Sequence, residues 1–441
     1  MLNSKVVSEK MYRKFIETLR RWEANNTKEP LLITGARQVG KTWLIKEFCS
    51  KEYDDHLYLN FESEPQLASI FESSLDPKEI IRRLGVFAGR PVSSQTALIF
   101  DEIQKCEKAV TSLKYFCEAE ENYRVIGAGS LLGVKINRFE SSFPVGKVKV
   151  VNLPPMDFEE FLLASGEGLL AEEIRNSYNK MQKLPELLHE KTIRLYHDYL
   201  YVGGMPRCIN DYVQNGCDIS YFDRELQGNI ILAYTADMSK YTSGAAESVK
   251  IREIYDSVPR QLARENPKFK YKDIRGNANK RDFHLPLDWL VSSGIVIKVV
   301  KAELPQNPLK AYENESIFKV YMSDVGLLSF ASGVNYKSFI SAEDNIFKGA
   351  ITENYVIQSL ASQGRSLFYF KPDESMEIDV LLEDGDSVIP VEIKSGRHKR
   401  STSLKNYNNK FVPQKMIRIS ENNFGQADNL ISIPLYAVFC I

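Results

Sequence analysis

Two short stretches of this sequence hold the residue types that phosphate chemistry needs. The first, Gly-Ala-Arg-Gln-Val-Gly-Lys-Thr at 35–42, matches G-x-x-x-x-G-K-[ST] at every fixed position. Gly35 and Gly40 permit backbone turns that side chains resist, so the N–H groups across Ala36, Arg37, Gln38 and Val39 can face one anion. A helix expected from Lys41 adds the positive end of its dipole. In this reading Lys41 meets the β- and γ-phosphates of ATP, and the Thr42 hydroxyl sits on Mg2+. The second stretch, TALIFDEIQ at 96–104, is an apolar strand ending in two carboxylates. Asp101 would hold the Mg2+ shell and Glu102 would orient or polarise an attacking water. Such a strand fixes both at the carboxyl edge of a sheet, where open α/β sheets bind ligands. A third apolar run ends in Ala128-Gly129-Ser130, where Ser130 could touch the γ-phosphate or the water, or could simply serve a turn.

A different constellation lies near the C-terminus. Glu353 sits on the helical run GAITENYVIQSL, Glu377-Ile378-Asp379 opens an alternating strand, and a second strand carries Glu392 and Lys394 two apart. Period-two geometry puts Glu377 with Asp379 on one face, and Glu392 with Lys394 likewise. Adjacent strands would gather Asp379, Glu392 and Lys394 around one point, with Glu353 leaning in from the helix. Carboxylates that bind a divalent metal at Asp379 and Glu392, beside a lysine that handles water, are what metal-dependent phosphodiester cleavage requires. Beyond it, 394–418 holds Lys394, Arg397, Lys399, Arg400, Lys405, Lys410, Lys415 and Arg418 and no acid, which suits a phosphate backbone.

These groups need elements to position them. Met11, Phe15, Ile16, Leu19 and Trp22 recur at helical spacing, so a helix is expected over 10–24. Apolar runs at 31–33, 57–61, 97–100 and 125–128, separated by helical stretches, imply a parallel sheet with crossovers. The segment 170–265 reads as mostly helical, interrupted at Gly203-Gly204-Met205-Pro206, a helix break that could serve as a hinge. Residues 249–301 resemble a winged helix, with a helix over 250–264, a second from Lys280 to Ser293, an apolar strand from Ile295 to Val300 and a returning strand at 318–322. The window 264–283 carries seven basic residues against three acidic ones, a net +4 near the turn between those helices. A helix near 348–363 and strands near 366–371, 376–383 and 387–394 complete the chain. The parts expected are an N-terminal helix to 27, a P-loop domain over 28–162, a helical linker over 163–248, a winged-helix-like module over 249–335 and a final domain over 336–441.

Bulk properties narrow the class. A length of 441 residues calls for two or three domains, and 43% hydrophobic residues can fill their cores. The net charge of −1 gives the whole molecule no pull on nucleic acid, so any such contact must rest on local patches. The six cysteines form no CxxC pair and the five histidines no ligand cluster with them, which argues against a zinc site or a disulfide scaffold. No signal-like N-terminus and no long apolar run is present, so a cytoplasmic protein without membrane contact is expected.

The leading helix, GARQVGKT, LIFDEIQ, GAGSLLG and LPPMDFEEFL, joined by YLYVGGMPR, FKVYMSDVGLL and EID…PVEIKSG, together resemble a large prokaryotic family of AAA+ ATPases. The resemblance spans nearly the whole chain. It implies an N-terminal ATPase followed by a C-terminal domain of unknown function that ends in a restriction-endonuclease-like, PD-(D/E)XK fold, with Glu353, Asp379, Glu392 and Lys394 filling its polar positions. It also implies a homo-oligomer, with Ser130 in the sensor 1 position. One departure stands out: similar proteins show Gly-Arg before the Leu-Pro-Pro segment, a candidate arginine finger, where this chain has Gly146-Lys147. Lysine lacks the planar fork, so Arg138 or Arg207 is the alternative donor. Three functions fit: an ATP-controlled nuclease, an ATP-dependent DNA-binding regulator without cleavage, and a nucleotide switch acting on a protein partner.

Overall fold

The computed structural model describes residues 11–25, 27–130, 132–136, 143–240, 244–264, 267–341, 346–396 and 402–441. The chain forms two compact units, one built mainly from Arg13–Pro154 and the other mainly from Pro155–Val291 with Val296–Ile441.

In the first unit five strands, β1 (Leu31–Thr34), β2 (His56–Asn60), β3 (Ala97–Asp101), β4 (Val125–Ala128) and β5 (Lys149–Asn152), lie in the order β2-β3-β4-β1-β5. All neighbours are parallel. β3 and β4 are buried along their whole length, which is why they read as unbroken apolar runs. β5 escaped the sequence reading because its residues alternate between half-buried and exposed at the sheet edge. A core of Leu32, Leu59, Leu98, Phe71 and Phe100 closes over one side, with Phe100 edge-on to Phe61, Phe71 and Phe116. The order places β4 between β1 and β3, so the chain segments leaving all three strands converge at one edge. The N-terminal helix runs Ile16–Ala24 and buries Ile16, Leu19 and Trp22. It starts later than the apolar period suggests; Arg13 instead sends its guanidinium to backbone carbonyls elsewhere in the unit.

The second unit opens with helices. Phe158–Ala164 begins with a capping box in which Asp157 and Glu160 satisfy each other's backbone N–H groups, and this explains why LPPMDFEEFL turns into a helix there. The helix Glu186–Val202 stops at Gly203 (φ 81°), and Pro206 starts the next, Pro206–Gln214. Space rather than looseness requires these glycines: a Cβ on Gly204 would stand 2.0 Å from the Met156 carbonyl oxygen. The buried Asp324 carboxylate accepts from the N–H groups of Gly204 at 2.6 Å and Leu327 at 2.9 Å, tying YLYVGGMPR to FKVYMSDVGLL. Helices Ala245–Leu262 and Lys280–Ser292 precede an antiparallel hairpin of β6 (Val296–Ala302) and β7 (Glu313–Met322). The remaining strands are β8 (Phe368–Asp373), β9 (Met376–Asp384), β10 (Ser387–Ile393), β11 (Met416–Ser420), β12 (Gly425–Ala427) and β13 (Leu430–Pro434). One mixed sheet of eight strands runs β12-β13-β11-β10-β9-β8-β6-β7. The hairpin β6–β7 therefore shares a sheet with the C-terminal strands through the parallel pairing of Val300 with Phe368, a long-range contact with no local sequence signal. The helix Ile346–Ser362 carries Glu353. Among the described residues no helix is long and apolar enough to cross a membrane.

Candidate functional site

The segment between β1 and the helix Lys41–Glu52 turns as its glycines dictate. Gly35 has φ 136° and Gly40 φ 92°, both left-handed, and Gln38 joins them at φ 66°. A Cβ on Gly35 would lie 2.4 Å from the Leu153 carbonyl oxygen, so the loop cannot be built with any other residue there. Gly40 caps a helix of 12 residues with no side-chain hydrogen bond, which leaves the first-turn amides of that helix for an anion. Lys41 is buried and its Nζ donates to the carbonyl oxygens of Gly35 and Ala36 at 2.9 Å each. Its ammonium group is thus stored against the loop that a triphosphate would enter.

The acidic strand end faces this loop. The Thr42 hydroxyl donates to Asp101 Oδ2 at 2.8 Å, the juxtaposition of hydroxyl and carboxylate that a shared Mg2+ demands. Tyr58, on β2, donates its hydroxyl to the same Asp101 oxygen at 2.8 Å and in turn accepts from Asn60 Nδ2 at 3.1 Å. Glu102 has φ 49°, a left-handed conformation that non-glycine residues occupy at a cost of roughly 1–3 kcal/mol. Its N–H donates to Asp101 Oδ1 at 3.0 Å, and its Oε2 accepts from Gln104 Nε2 at 2.5 Å. Burial pushes the Glu102 carboxyl above its ordinary value, the Gln104 hydrogen bond opposes this, and the Asp101 charge adds to it. Ser130 lies in the turn two residues beyond the end of β4, half-buried. Just before it, Gly129 packs so closely that a Cβ there would lie 1.8 Å from Gln104 Oε1. The uncapped helix, the stored lysine and the Thr42–Asp101 pair fit an ATP phosphate chain with Mg2+. When bound, the ion would supply positive charge to the terminal phosphates, and Thr42 and Asp101 would hold it.

Sequence reasoning missed four contributors here: Arg13, Tyr58, Asn60 and Gln104. Arg13 is only 4% exposed; Nη1 donates to Val39 O and Nη2 to Pro154 O, each at 2.7 Å, so it pins the loop from behind. Nothing in local pattern marks it. Tyr58 and Asn60 had a signal, since they alternate on β2, and β2 pairs with β3 in register Asn60–Asp101. For the arginine donor, Lys147 is engaged with Glu118 at 3.0 Å, Arg207 is exposed, and Arg138 lies outside the described residues.

The C-terminal constellation also comes together, but around a cation of its own. Glu392 is 2% exposed; one carboxylate oxygen meets Lys394 Nζ at 3.1 Å and the other, Oε2, is buried without a hydrogen-bond partner among the described residues. Asp379 Oδ2 accepts from the Ile393 N–H at 2.7 Å. Burial, then the Glu353 charge, push the Asp379 carboxyl up to about 7. Glu353 and Glu377 are joined by Lys319, whose Nζ lies 3.0 Å from an oxygen of each; Tyr321 donates to the same Glu353 oxygen at 2.5 Å. Lys371 contacts the second Glu377 oxygen at 3.0 Å. Lys319 is 1% exposed, and although burial pulls its ammonium down, Glu353, Tyr321, Glu377 and Asp379 carry it well above its ordinary value. Its period-two relation to Tyr321 was readable in FKVYM; its burial was not, because a lysine in a strand normally marks the wet face. Among the described residues no three carboxylates, histidines or cysteines are arranged to hold a metal. With lysines seated at Glu353, Glu377 and Glu392, these residues do not fit a divalent ion. Arg397, Lys399 and Arg400 of the basic flank lie outside the described residues.

Residues 27–162 match a family model described as an AAA domain. Residues 193–338 and 348–437 match two domains of unknown function, DUF8612 and DUF4143. No curated protein matches the chain. Among solved structures it is similar to a Walker-type ATPase of Pyrococcus abyssi, at 13% identity over 73% of this chain and 95% of that one, with a TM-score of 0.47. It is also similar to the ORC2 protein of Aeropyrum pernix, at 12% identity over 75% and 96% of the two chains, TM-score 0.35. A third is Drosophila ORC bound to DNA, at 9% identity over 72% and 85%, TM-score 0.28. The segment that matches the AAA domain holds the phosphate loop, the Asp101–Glu102 strand end and the parallel sheet that positions them.

Proposed function

We propose that the chain hydrolyses Mg-ATP at the P-loop and uses the nucleotide state to control a nucleic-acid-directed, nuclease-like C-terminal unit. The observation that carries the first half is the Thr42–Asp101 hydrogen bond at the mouth of the uncapped helix. In this reading the amides of residues 35–42 cradle the phosphates, and Lys41 leaves the Gly35 and Ala36 carbonyls to meet the β- and γ-phosphates. Glu102, steered by Gln104, orients water, and Ser130 lies where it can report the γ-phosphate.

Support for the second half is charge and topology. The helices Ala245–Leu262 and Lys280–Ser292 precede the β6–β7 hairpin, an order compatible with a winged helix, and Glu353, Asp379, Glu392 and Lys394 lie on one helix and at two adjacent strands of one sheet. Arg264 and Arg275 are spent on Asp273 and Glu253. Lys270, Lys272, Lys280 and Arg281 are exposed and form no ion pair among the described residues, so the expected +4 window keeps cations for phosphate. DNA is the proposed ligand, and a cytoplasmic homo-oligomer, in which a neighbour completes the ATP site, the proposed form. The reading as a regulator without cleavage gains from Lys319, which sits between two of the carboxylates.

The test is binding of duplex DNA and RNA to the purified protein at several salt concentrations, with and without Mg-ATP, together with a cleavage assay in Mg2+ or Mn2+. Four phosphate contacts give a slope of about −3.6 in log K against log salt for DNA. Nucleotide-dependent binding with a slope of this order is the expected result. No binding in any nucleotide state would refute nucleic-acid direction and favour a protein partner.

A further inference from the structure

We propose that Lys319 is the resident cation of the C-terminal carboxylate cluster: its ammonium group bridges Glu353 and Glu377 and, by supplying positive charge there, keeps the cluster free of the divalent ion that Asp379 and Glu392 would otherwise share. This goes beyond the ATPase reading and stands or falls separately from it.

The geometry is that of a buried ligand cage. Nζ lies 3.0 Å from Glu353 Oε1 and 3.0 Å from Glu377 Oε1, and the Tyr321 hydroxyl closes on the same Glu353 oxygen. Lys319 and Tyr321 are 1% and 0% exposed, so the ammonium and hydroxyl meet the carboxylates directly, while Glu353 and Glu377 keep an outer edge toward solvent. A lysine this deep survives only where carboxylates meet it, and here they reach it from the half-buried Glu353 and Glu377.

Charge counting turns the contact into a statement about metals. Glu353, Glu377 and Glu392 bring three negative charges and Asp379, whose carboxyl is raised to about 7, at most a fourth; Lys319, Lys371 and Lys394 bring three positive ones, Lys371 also reaching the exposed Glu374 outside the cluster. At most one negative charge is left over within the cluster. Adding a divalent ion would overshoot to at least one positive charge in a buried site, which the protein interior penalises. Removing the Lys319 charge leaves up to two negative charges, which one divalent ion neutralises. The sequence pattern of an acid-acid-lysine metal site is therefore present together with a side chain that competes with the metal.

The experiment is Mn2+ titration of the full-length protein without nucleotide, read by electron paramagnetic resonance of free Mn2+ and by the unfolding temperature. Wild type is expected to hold no Mn2+ that Asp379→Asn removes. Lys319→Met is expected to gain one site, bound at least tenfold more tightly than any wild-type site and lost again in Lys319→Met combined with Asp379→Asn. Its unfolding temperature should rise with Mn2+ where that of wild type does not. Lys319→Arg keeps the charge and should remain metal-free. A wild-type Mn2+ site abolished by Asp379→Asn overturns the proposal, and so does a folded Lys319→Met that gains none. If Lys319→Met fails to fold even with Mn2+ present, the wild-type and Asp379→Asn pair decides alone, since Mn2+ bound there by wild type is incompatible with a resident lysine.

Discussion

Replacing Arg13 by methionine removes a guanidinium while keeping most of its apolar stem. The structure gives that group two charge-assisted hydrogen bonds at 2.7 Å, a buried one to Val39 O inside the phosphate loop and a part-buried one to Pro154 O. A hydrogen bond to a charged partner is worth roughly 1.5–3 kcal/mol, and the exposed share of the second lowers its part. The expected loss is therefore about 2–4 kcal/mol in the stability of the ATPase unit, measurable as a lower urea midpoint with an unchanged slope. Val39 lies between Gln38 and Gly40, both in left-handed conformations. Freeing its carbonyl should loosen the amide cradle and weaken Mg-ATP binding about tenfold, equivalent to ~1.4 kcal/mol. Arg13→Lys, with one point donor instead of a fork, should fall between. If Arg13→Met unfolds within ~0.5 kcal/mol of wild type and binds Mg-ATP equally well, the loop is not held from behind and the reasoning is wrong.

Three further outcomes follow from other sites. Glu102→Gln should bind Mg-ATP and turn it over roughly 10²–10⁴-fold more slowly, as for loss of a general base; normal turnover would remove Glu102 from its role. Gly204→Ala forces a Cβ to within 2.0 Å of the Met156 carbonyl and should cost about 3 kcal/mol in the C-terminal unit, read by denaturant unfolding; a silent substitution would show that the 203–206 turn has slack. Burial pushes the Asp324 carboxyl up to about 6, against its backbone hydrogen bonds. A raised acid favours the protonated form in the folded state, so its contribution is greatest at low pH and falls by about 3 kcal/mol as pH rises from about 4 to 6. Asp324→Asn should lack that slope in unfolding temperature against pH, and an unchanged slope would place the titration elsewhere.

The nucleotide loop was readable because its chemistry is local. Two glycines, a lysine and a threonine within eight residues leave the backbone few alternatives, and β1, β3 and β4 announced themselves as apolar runs. What stayed hidden arises from contacts distant in sequence. Arg13 reaches Val39 and Pro154 across 26 and 141 residues. Tyr58 serves Asp101 from a neighbouring strand, and only the sheet order reveals it. Edge strand β5 lacked the continuous apolar run of its neighbours. In the C-terminal unit, the strands bearing Glu377, Asp379 and Glu392, the last ending one residue before Lys394, were legible from alternation. The pairing of β6 with β8 was not, and neither was the burial of Lys319 among the acids, because both depend on which distant segment packs against them.

Calorimetry of Mg-ATP with the folded, full-length protein tests the central claim most directly. Saturable binding at one site per chain, abolished in Lys41→Ala, is the result expected. A folded wild-type chain that takes up no Mg-ATP, or a Lys41→Ala variant that binds as wild type does, would contradict it.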